Sequence, residues 1–398
     1  MTDSSESSLI LQRHNVFDPA PELTRARDEG VLTRVPVMFS STPKLAYVVT
    51  HHEHARTVLA NSSDFAVATT DYGPVSDEEA AAMRAGNLLE MNPPQHTRLR
   101  RMLVSAFTAR RVAALESRIA KIVDGFLDDL AAQPQPADLV THFALPVPSL
   151  VICELLGVPY HDRDEFQQRA QAMVDSTLSP AEQLQVDREQ RRYMAGLVAL
   201  AQADPGEDLL GALVRTHGAE VSADELVGIG SLLLIAGHET TANMLGLGTL
   251  ALLRHPDQLA ALRDEPELIE PAVEELMRWL SIVPSGMERI TTRDVTIGEH
   301  TIPSGEHVVI YLPAANRDPN FITDPDRFDV RRGAPGHVAF GHGVHHCLGA
   351  PLARAEMRIA FPALLRRFPN LALGMPFEDI AYRRHQAVYG VHALPVTW

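Results

Sequence analysis

The feature that most constrains the fold of this sequence is a long helical segment at residues 222–254. Ser222 and Glu225 fit a capping box, in which the serine side chain accepts from one end amide and the glutamate reaches back to another. Pro256 marks the end of the predicted helix. A helix of this length spans about 50 Å, the width of a whole domain. Because SLLLIAG (231–237) is apolar on all sides, we predict a helix that crosses a core.

Polar residues interrupt this apolar segment halfway along. The sequence His238, Glu239, Thr240, Thr241 follows the apolar stretch directly. A buried charge is costly unless it is paired or used, and a threonine hydroxyl can loosen a helix by taking the carbonyl four residues back. Alone, the motif would fit a helix end that reaches the surface. Its position in mid-helix favours a functional kink.

The rest of the chain is rich in helical periodicity and poor in strands. Helices are predicted at 96–131, 266–280 and 350–368, and strands at 45–50, 294–303 and 306–312. Gly298 divides the middle strand segment, which indicates a hairpin. We therefore expect a mainly α fold with small β-sheets, forming a single domain over residues 1–398.

Composition excludes several classes of protein. A net charge of −16 argues against a general nucleic-acid or anionic-membrane binder. Two widely spaced cysteines make no disulfide framework, which favours a reducing compartment. The N-terminus is acidic where a signal peptide needs bases, and no run of apolar residues is long enough to span a membrane. We expect a cytoplasmic, unanchored monomer.

One of the two cysteines stands in an unusual setting, FGHGVHHCLG (340–349). Cys347 precedes a predicted helix, where free amides and the helix dipole stabilise a thiolate. Gly341, Gly343 and Gly349 allow the backbone to approach a flat ligand closely.

Three interpretations of Cys347 remain open from the residues themselves. It can be a buried structural cysteine, the commonest role of a lone cysteine. It can join a zinc site with the neighbouring histidines His342, His345 and His346, although zinc usually takes ligands from two separated pairs. It can also be the axial ligand of a haem iron, where one sulfur suffices.

Four motifs together resemble the cytochrome P450 family. The family's cysteine-ligand signature is matched by Phe340, Gly343, His345, Cys347 and Gly349. AGHETT resembles its oxygen-activation motif through Ala236, Gly237, Glu239 and Thr240. EELMR supplies a Glu-x-x-Arg motif as Glu275 and Arg278, and PDRF (325–328) resembles the meander element. The motifs occur in the family's order over residues 90–398, and the chain is similar to bacterial class I members of actinomycete secondary metabolism.

The resemblance implies a single helix-rich body around haem b and assigns roles to individual residues. Cys347 would be the axial iron ligand, with Phe340 shielding the sulfur. The small residues Ala236 and Gly237 would leave room over the haem, and Gly349 would lie against it. The haem propionates would be bound by His96, Arg100, Arg289 and His345. His96 and Arg100 share one face of a helix that we expect to begin with Asn92 as cap and Pro93 in the first turn.

Other residues would support the fold or the chemistry. Glu275, Arg278 and Arg327 would form a structural cluster, with the carboxylate between two guanidiniums. Glu239 and Thr240 would deliver protons during oxygen activation. The implied reaction inserts one oxygen atom of O2 into a hydrophobic small molecule, by hydroxylation or epoxidation. A haem-thiolate sensor or electron carrier, or a peroxide-driven peroxygenase, is the alternative.

The resemblance also implies external electron donors, because the chain carries no flavin or iron–sulfur signature. Bacterial members use ferredoxin and ferredoxin reductase. An acidic ferredoxin would be attracted to a basic face made of Arg98, Arg101, Arg354 and Arg358.

The substrate pocket would be built from apolar segments. These are 66–90, 170–190, 232–236 and 282–287, together with residues 387 and 388. The candidate contacts are Tyr72, Leu232, Ala236, Ile282, Val283, Met287, Ala387 and Val388.

Overall fold

The computed structural model describes residues 13, 15–37, 44–70, 72, 75–159, 162, 169, 172–173, 178–284, 288–384 and 386–398. The α-helices among them are α1 (Pro21–Asp28), α2 (His52–Ala60), α3 (Asp77–Arg84), α4 (Gln95–Val104), α5 (Ala109–Ala131), α6 (Pro146–Leu156), α7 (Pro180–Ala203), α8 (Leu209–His217), α9 (Ala223–Arg254), α10 (Pro256–Asp264), α11 (Ile269–Leu280), α12 (Leu312–Ala315) and α13 (Ala350–Arg367). The strands are β1 (Arg34–Val37), β2 (Lys44–Val49), β3 (Phe65–Val67), β4 (Ala137–Asp138), β5 (Arg289–Thr291), β6 (Val295–Ile297), β7 (His300–Ile302), β8 (His307–Ile310), β9 (Ala372–Leu373) and β10 (Pro395–Thr397).

The mainly α fold with small sheets is confirmed. The long helix α9 begins where the capping box predicts it. Ser222 Oγ accepts from the Glu225 amide, and the Glu225 carboxylate accepts from the Ser222 amide. The hairpin around Gly298 is also present as β6 and β7. No helix in the described ranges is long and apolar enough to cross a membrane.

Two predicted helix boundaries are wrong. The segment 96–131 is two helices, α4 and α5, separated by a 3-10 turn at Ser105–Phe107. Asn92 does not cap α4, which begins at Gln95. Its side chain instead pairs with the edge of β3, where Oδ1 accepts from the Val67 amide at 2.8 Å. A strand amide therefore donates to the oxygen that the sequence predicts to cap the helix.

The chain forms two compact units. The first contains residues 1–73, 89–95 and 270–347. Among its described residues, five strands form one sheet in the order β1-β2-β8-β5-β3, with β2 and β8 parallel. Side chains alternate between the faces of a strand. Val48 and Val309 therefore pack in a cluster with Leu23 of α1, whereas Val49 and Val308 pack on the other face in a cluster that includes residues of α2.

The second unit contains residues 74–88, 96–269 and 348–398. Its central element is α9, which is buried over most of its length and packs against α6, α7 and α13. Helix α13 also packs on α5. Within the described part of this unit, β4, β10 and β9 form a small antiparallel sheet. Whether the two units constitute one domain, as the sequence predicts, stays a prediction.

Candidate functional site

The cysteine loop of the first unit is held in a defined conformation by its own backbone. The Cys347 amide donates to the Phe340 carbonyl at 2.8 Å, and the loop between them contains a 3-10 turn at Gly343–His345. Gly343 has φ +72°, and a Cβ there would lie 2.4 Å from the Leu59 carbonyl oxygen of α2. Only glycine fits this close approach. The loop is therefore fixed against α2, and Cys347 is exposed at its end.

A buried hydrogen-bond chain joins this loop to α11. The Val338 amide donates to Asn316 Oδ1 at 2.8 Å, and the Asn316 carbonyl accepts from Arg278 Nη1 at 2.9 Å. Arg278 is fully buried and bidentate to Glu275, with Nε–Oε2 and Nη2–Oε1 distances of 2.7 and 2.9 Å. Charge-assisted pairs of this geometry are among the strongest hydrogen bonds in proteins. The Glu-x-x-Arg pair thus supports the segment leading to the cysteine loop. No local sequence pattern predicts the role of Asn316.

The prediction that Arg327 supplies the second guanidinium to Glu275 is wrong. The Arg327 side chain is 65% exposed and lies 3.6 Å from Asp329. Arg332 takes the predicted place, with Nε 3.4 Å from Glu275 Oε1 and only 13% of its side chain exposed. Arg327 contributes its backbone carbonyl, which accepts from Arg278 Nη2 at 3.5 Å and from Arg332 Nη2 at 3.2 Å. Arg327 therefore contacts Arg278 through its backbone carbonyl and not through its guanidinium.

The structure separates the alternative interpretations of Cys347. The fully buried cysteine is Cys153 in α6, whereas Cys347 is exposed. Within the described residues, which include His342, His345 and His346, no group of three His, Cys, Asp or Glu side chains is arranged to hold a metal ion. Neither the structural nor the zinc interpretation fits Cys347.

Helix α9 of the second unit has one accessible stripe in its middle. Leu232, Ala236 and Thr240 are four residues apart and lie on one face, and all three are partly or fully exposed while most of the helix is buried. Thr240 Oγ1 donates to the Ala236 carbonyl at 2.8 Å, as predicted for a mid-helix threonine. Gly237 lies beside the stripe. The helix is continuous from Ala223 to Arg254, so the predicted kink stays a prediction.

Glu239 precedes Thr240 on α9 and is buried. It is 1% exposed and forms an ion pair with Arg383, whose Nη1 lies 3.0 Å from Glu239 Oε2. Burial raises the pKa of Glu239, and the Arg383 guanidinium opposes that rise. The neighbouring His238 is fully buried, and burial lowers its pKa to about 3. Sequence reasoning missed Arg383, because 144 positions separate the partners and no local pattern links them.

The four cationic residues predicted to bind propionates lie in both units. In the second unit, His96 is buried and Arg100 is partly exposed on α4. In the first unit, His345 is partly exposed in the cysteine loop, and Arg289 is buried on β5. Burial lowers the pKa of Arg289 to about 10, which still leaves it charged at neutral pH.

The predicted pocket residues differ in exposure. Leu232 and Val283 are partly exposed, Ala236 and Ala387 are exposed, and Ile282 and Val388 are buried. The Tyr72 hydroxyl donates to Glu90 at 2.6 Å. Met287 lies outside the described residues.

The predicted basic face contains arginines of two kinds. Arg98 pairs with Glu225 at the start of α9 and donates to the Glu220 carbonyl, so an internal acid compensates its charge. Arg101 is exposed on α4, and Arg354 is partly exposed on α13. Arg358 lies 3.6 Å from Glu116 of α5, and both side chains are partly exposed.

Comparison with known proteins identifies the family. The sequence model described as cytochrome P450 matches residues 37–190 and 190–374. The chain belongs to the cytochrome P450 family. Cytochrome P450 FAS1 of Rhodococcoides fascians is 46% identical over 392 residues, with 97% of each chain covered. Cytochrome P450 monooxygenase PikC of Streptomyces venezuelae is 43% identical over 390 residues, covering 96% of this chain and 91% of PikC.

A solved structure agrees with this assignment. The crystal structure of the mycinamicin VIII C21 methyl hydroxylase MycCI from Micromonospora griseorubida, bound to mycinamicin VIII, matches with a TM-score of 0.89 and 38% identity. The match covers 97% of this chain and 98% of that one. This cytochrome P450 is thus a monooxygenase whose cofactor is haem b, bound through a cysteine thiolate.

The residues present fit that cofactor. Cys347 offers an accessible sulfur on a braced loop, three residues before the first residue of α13. The Cβ position of Gly349 faces open space, as a residue next to a flat ligand requires. The chain also carries the cations that two propionate groups need, and α9 presents small and apolar side chains on an accessible face.

Proposed function

We propose that this cytochrome P450 inserts one oxygen atom of O2 into a hydrophobic small molecule, by hydroxylation or epoxidation. The observation that carries the proposal is the arrangement on α9, where Thr240 lies on an accessible apolar stripe and Glu239 is buried beside it. An oxygenase needs an alcohol next to the reacting oxygen and an acid that resupplies protons. A sensor or an electron carrier needs neither.

Each candidate residue then has a defined task. Bound haem supplies O2 binding and O–O cleavage, which a thiolate ligand promotes. Cys347 supplies that thiolate, and Phe340 keeps its surroundings apolar. The propionates are bound by His96, Arg100, Arg289 and His345. Thr240 holds the protons that the reaction consumes, and Glu239 resupplies them.

Electrons reach the enzyme from NAD(P)H through ferredoxin reductase and ferredoxin. Two electrons and two protons convert one oxygen atom to water while the other enters the substrate. The exposed Arg101 and the partly exposed Arg354 and Arg358 suit an acidic ferredoxin. Arg98 is a weaker contributor, since Glu225 already compensates its charge.

The substrate is hydrophobic, because the accessible stripe of α9 is apolar apart from Thr240. One relative is a methyl hydroxylase bound to mycinamicin VIII, which supports a role in bacterial secondary metabolism, including antibiotic biosynthesis. Both cysteines are free thiols, which supports a cytoplasmic location. We expect a monomer that contacts its donors transiently.

Turnover assays separate the proposed function from its alternatives. We expect product with ferredoxin, reductase and NAD(P)H, and none with hydrogen peroxide alone. Candidate hydrophobic substrates, macrolides among them, can be ranked by their haem difference spectra. Product from peroxide alone would establish the peroxygenase. No product from any substrate that shifts the spectrum would favour the sensor or electron carrier.

The assignment of Cys347 is tested separately. The Cys347→Ser variant is expected to lose the strongly red-shifted Soret band of the reduced CO complex, whereas Cys153→Ser should keep it. A Cys347→Ser protein with an unchanged band would overturn the ligand assignment.

A further inference from the structure

The ion pair between Glu239 and Arg383 uses only one oxygen of the carboxylate. Oε2 accepts from Arg383 Nη1 at 3.0 Å and lies 3.4 Å from Asn243 Nδ2. Oε1 has no hydrogen-bond partner within the described part of the chain. His238 Nδ1 lies 3.8 Å from Oε1, which is too long for a hydrogen bond. The two oxygens of one buried carboxylate therefore have different environments.

The segment that carries Arg383 is fixed on α9. An isolated antiparallel bridge joins Tyr382 to Val391, and the Arg383 amide donates to the Gly390 carbonyl at 2.9 Å. A Cβ at Gly390 would lie 1.8 Å from Asn243 Oδ1, so only glycine allows this turn to sit on the helix. The guanidinium is 8% exposed and therefore cannot easily leave the carboxylate for solvent.

Few other charges act on Glu239. His238 stays neutral in the working pH range because burial lowers its pKa to about 3. Of the helices packed against α9, α6 carries Glu154, which pairs with Arg118 on α5, and α13 carries the buried Glu356. The α7 cations Arg188 and Arg191 bind Glu79 and the Ala82 carbonyl. None of these groups changes the pKa of Glu239. Arg383 is the charged group that lowers it.

We propose that Arg383 is a positioning residue for proton delivery, which fixes Glu239 Oε2 and leaves Oε1 to accept and pass on protons. This inference rests on the proposed role of Glu239. A buried carboxylate with no cation stays protonated and is a poor acceptor for protons from solvent. With Arg383 in place, the guanidinium opposes the rise that burial causes in the pKa of Glu239, which favours the proton-accepting carboxylate that a relay group requires.

The first test measures the protonation of Glu239 without turnover. The infrared C=O band of its protonated form is assigned in the holoenzyme by its loss in Glu239→Gln. A nearby opposite charge lowers a carboxyl pKa by about 1–3 units, so the midpoint should rise by that amount in Arg383→Met and less in Arg383→Lys. The matched control is Arg384→Met, which removes the exposed neighbouring arginine and should leave the midpoint unchanged. An unchanged midpoint in Arg383→Met overturns the inference.

The second test measures the pH profile of NAD(P)H oxidation. In Arg383→Met the acid limb should move to higher pH by the same amount as the infrared midpoint. Arg383→Met should add no further loss in a Glu239→Gln background, because the two residues act through one group. A uniform loss at every pH, with no shift, would show a merely structural role and overturn the inference.

The two proposals fail in different ways. If Glu239→Gln leaves turnover and coupling unchanged, the relay role of Glu239 is wrong whatever Arg383 does. If Glu239→Gln impairs turnover and the Arg383 variants do not shift the midpoint, only the inference about Arg383 is wrong. If Arg383→Met fails to fold, Arg383→Lys still decides through the infrared midpoint.

Discussion

Thr240 and Thr241 are neighbours in sequence with different environments. Thr240 lies on the accessible stripe of α9, and its hydroxyl donates to the Ala236 carbonyl. Thr241 is buried on another face. An i−4 hydrogen bond of this kind leaves the hydroxyl oxygen able to accept a second bond, so Thr240 can hold a proton donor at the helix surface.

Replacing Thr240 should uncouple oxygen reduction from product formation. Thr240→Ala removes a hydroxyl and a methyl group, and alanine is the better helix former, so folding and haem content should not change. NAD(P)H consumption should continue while hydrogen peroxide rises and product per NAD(P)H falls by at least about tenfold, since general acid catalysis contributes about 10²–10⁴-fold. Thr241→Ala is the control. Full coupling in Thr240→Ala would place the alcohol function elsewhere.

A second residue-scale prediction concerns Glu356 on α13. This carboxyl is buried, its Oε2 has no hydrogen-bond partner within the described ranges, and burial raises its pKa well above the ordinary value of 4.5. The unfolded chain therefore releases this proton at lower pH than the folded protein does. The contribution of neutral Glu356 to the free energy of unfolding is fully present below pH 4.5. It is lost as the pH rises toward the pKa that Glu356 has in the folded protein.

Glu356→Gln should therefore stabilise the protein more at pH 7 than at pH 4. The difference in unfolding free energy can grow by at most about 1.4 kcal/mol per pH unit. Thermal unfolding at several pH values measures it, with the exposed Glu207→Gln as control. A variant whose advantage shrinks as the pH rises would contradict the buried neutral form.

At the scale of elements, Arg332 and Arg327 contribute differently to the contacts that support α11 and the segment leading to the cysteine loop. Arg332 contacts Glu275 and donates to the carbonyls of Thr323 and Asp324, at 2.7 and 3.0 Å. Arg327 is mostly exposed. Their substitution should therefore have unequal consequences.

We expect Arg332→Ala to lower the unfolding free energy by about 1.5–3 kcal/mol, the contribution of a hydrogen bond to a charged group. Arg327→Ala should change it by no more than about 0.5 kcal/mol, as is usual for surface substitutions. Urea unfolding of both variants is the measurement. Equal losses of unfolding free energy would show that the Arg327 side chain supports Glu275, as the motif predicts.

Local signals explain what the sequence predicted at this scale. The capping box of α9 lies within four residues of chain, and glycine at the β6–β7 turn is a similarly local signal. Asn92, Arg332 and Arg383 depend on partners that are far away in sequence, and periodicity carries no information about such pairs. The cysteine loop could be recognised because its ligand, its glycines and its phenylalanine lie within ten residues.

At the scale of the molecule, charge sets the conditions for electron transfer. The protein carries a net charge of −16, so an acidic ferredoxin is repelled in general and attracted only by local cations. Screening acts beyond about 8 Å at physiological salt. Association through a basic face should therefore weaken as salt is added.

Reduction by ferredoxin should slow as the ionic strength rises, and Arg354→Glu should slow it further at low salt while substrate binding stays unchanged. Stopped-flow reduction measures both effects. Arg192→Glu, which reverses an exposed charge on α7, is the matched control. Identical reduction rates for Arg354→Glu and the unmodified enzyme at low salt would refute this face.

The pairing of Glu239 with Arg383 also has a consequence for biosynthesis. The ribosome makes Glu239 144 residues before the cation that compensates it. A carboxylate packed in the core without that cation is strongly destabilised, so a nascent chain that stops short of Arg383 must keep Glu239 protonated or leave this part of α9 unpacked. The native Glu239–Arg383 pair therefore forms only after Arg383 has been translated, and truncated translation products that lack it should be less stable and better substrates for cellular proteases.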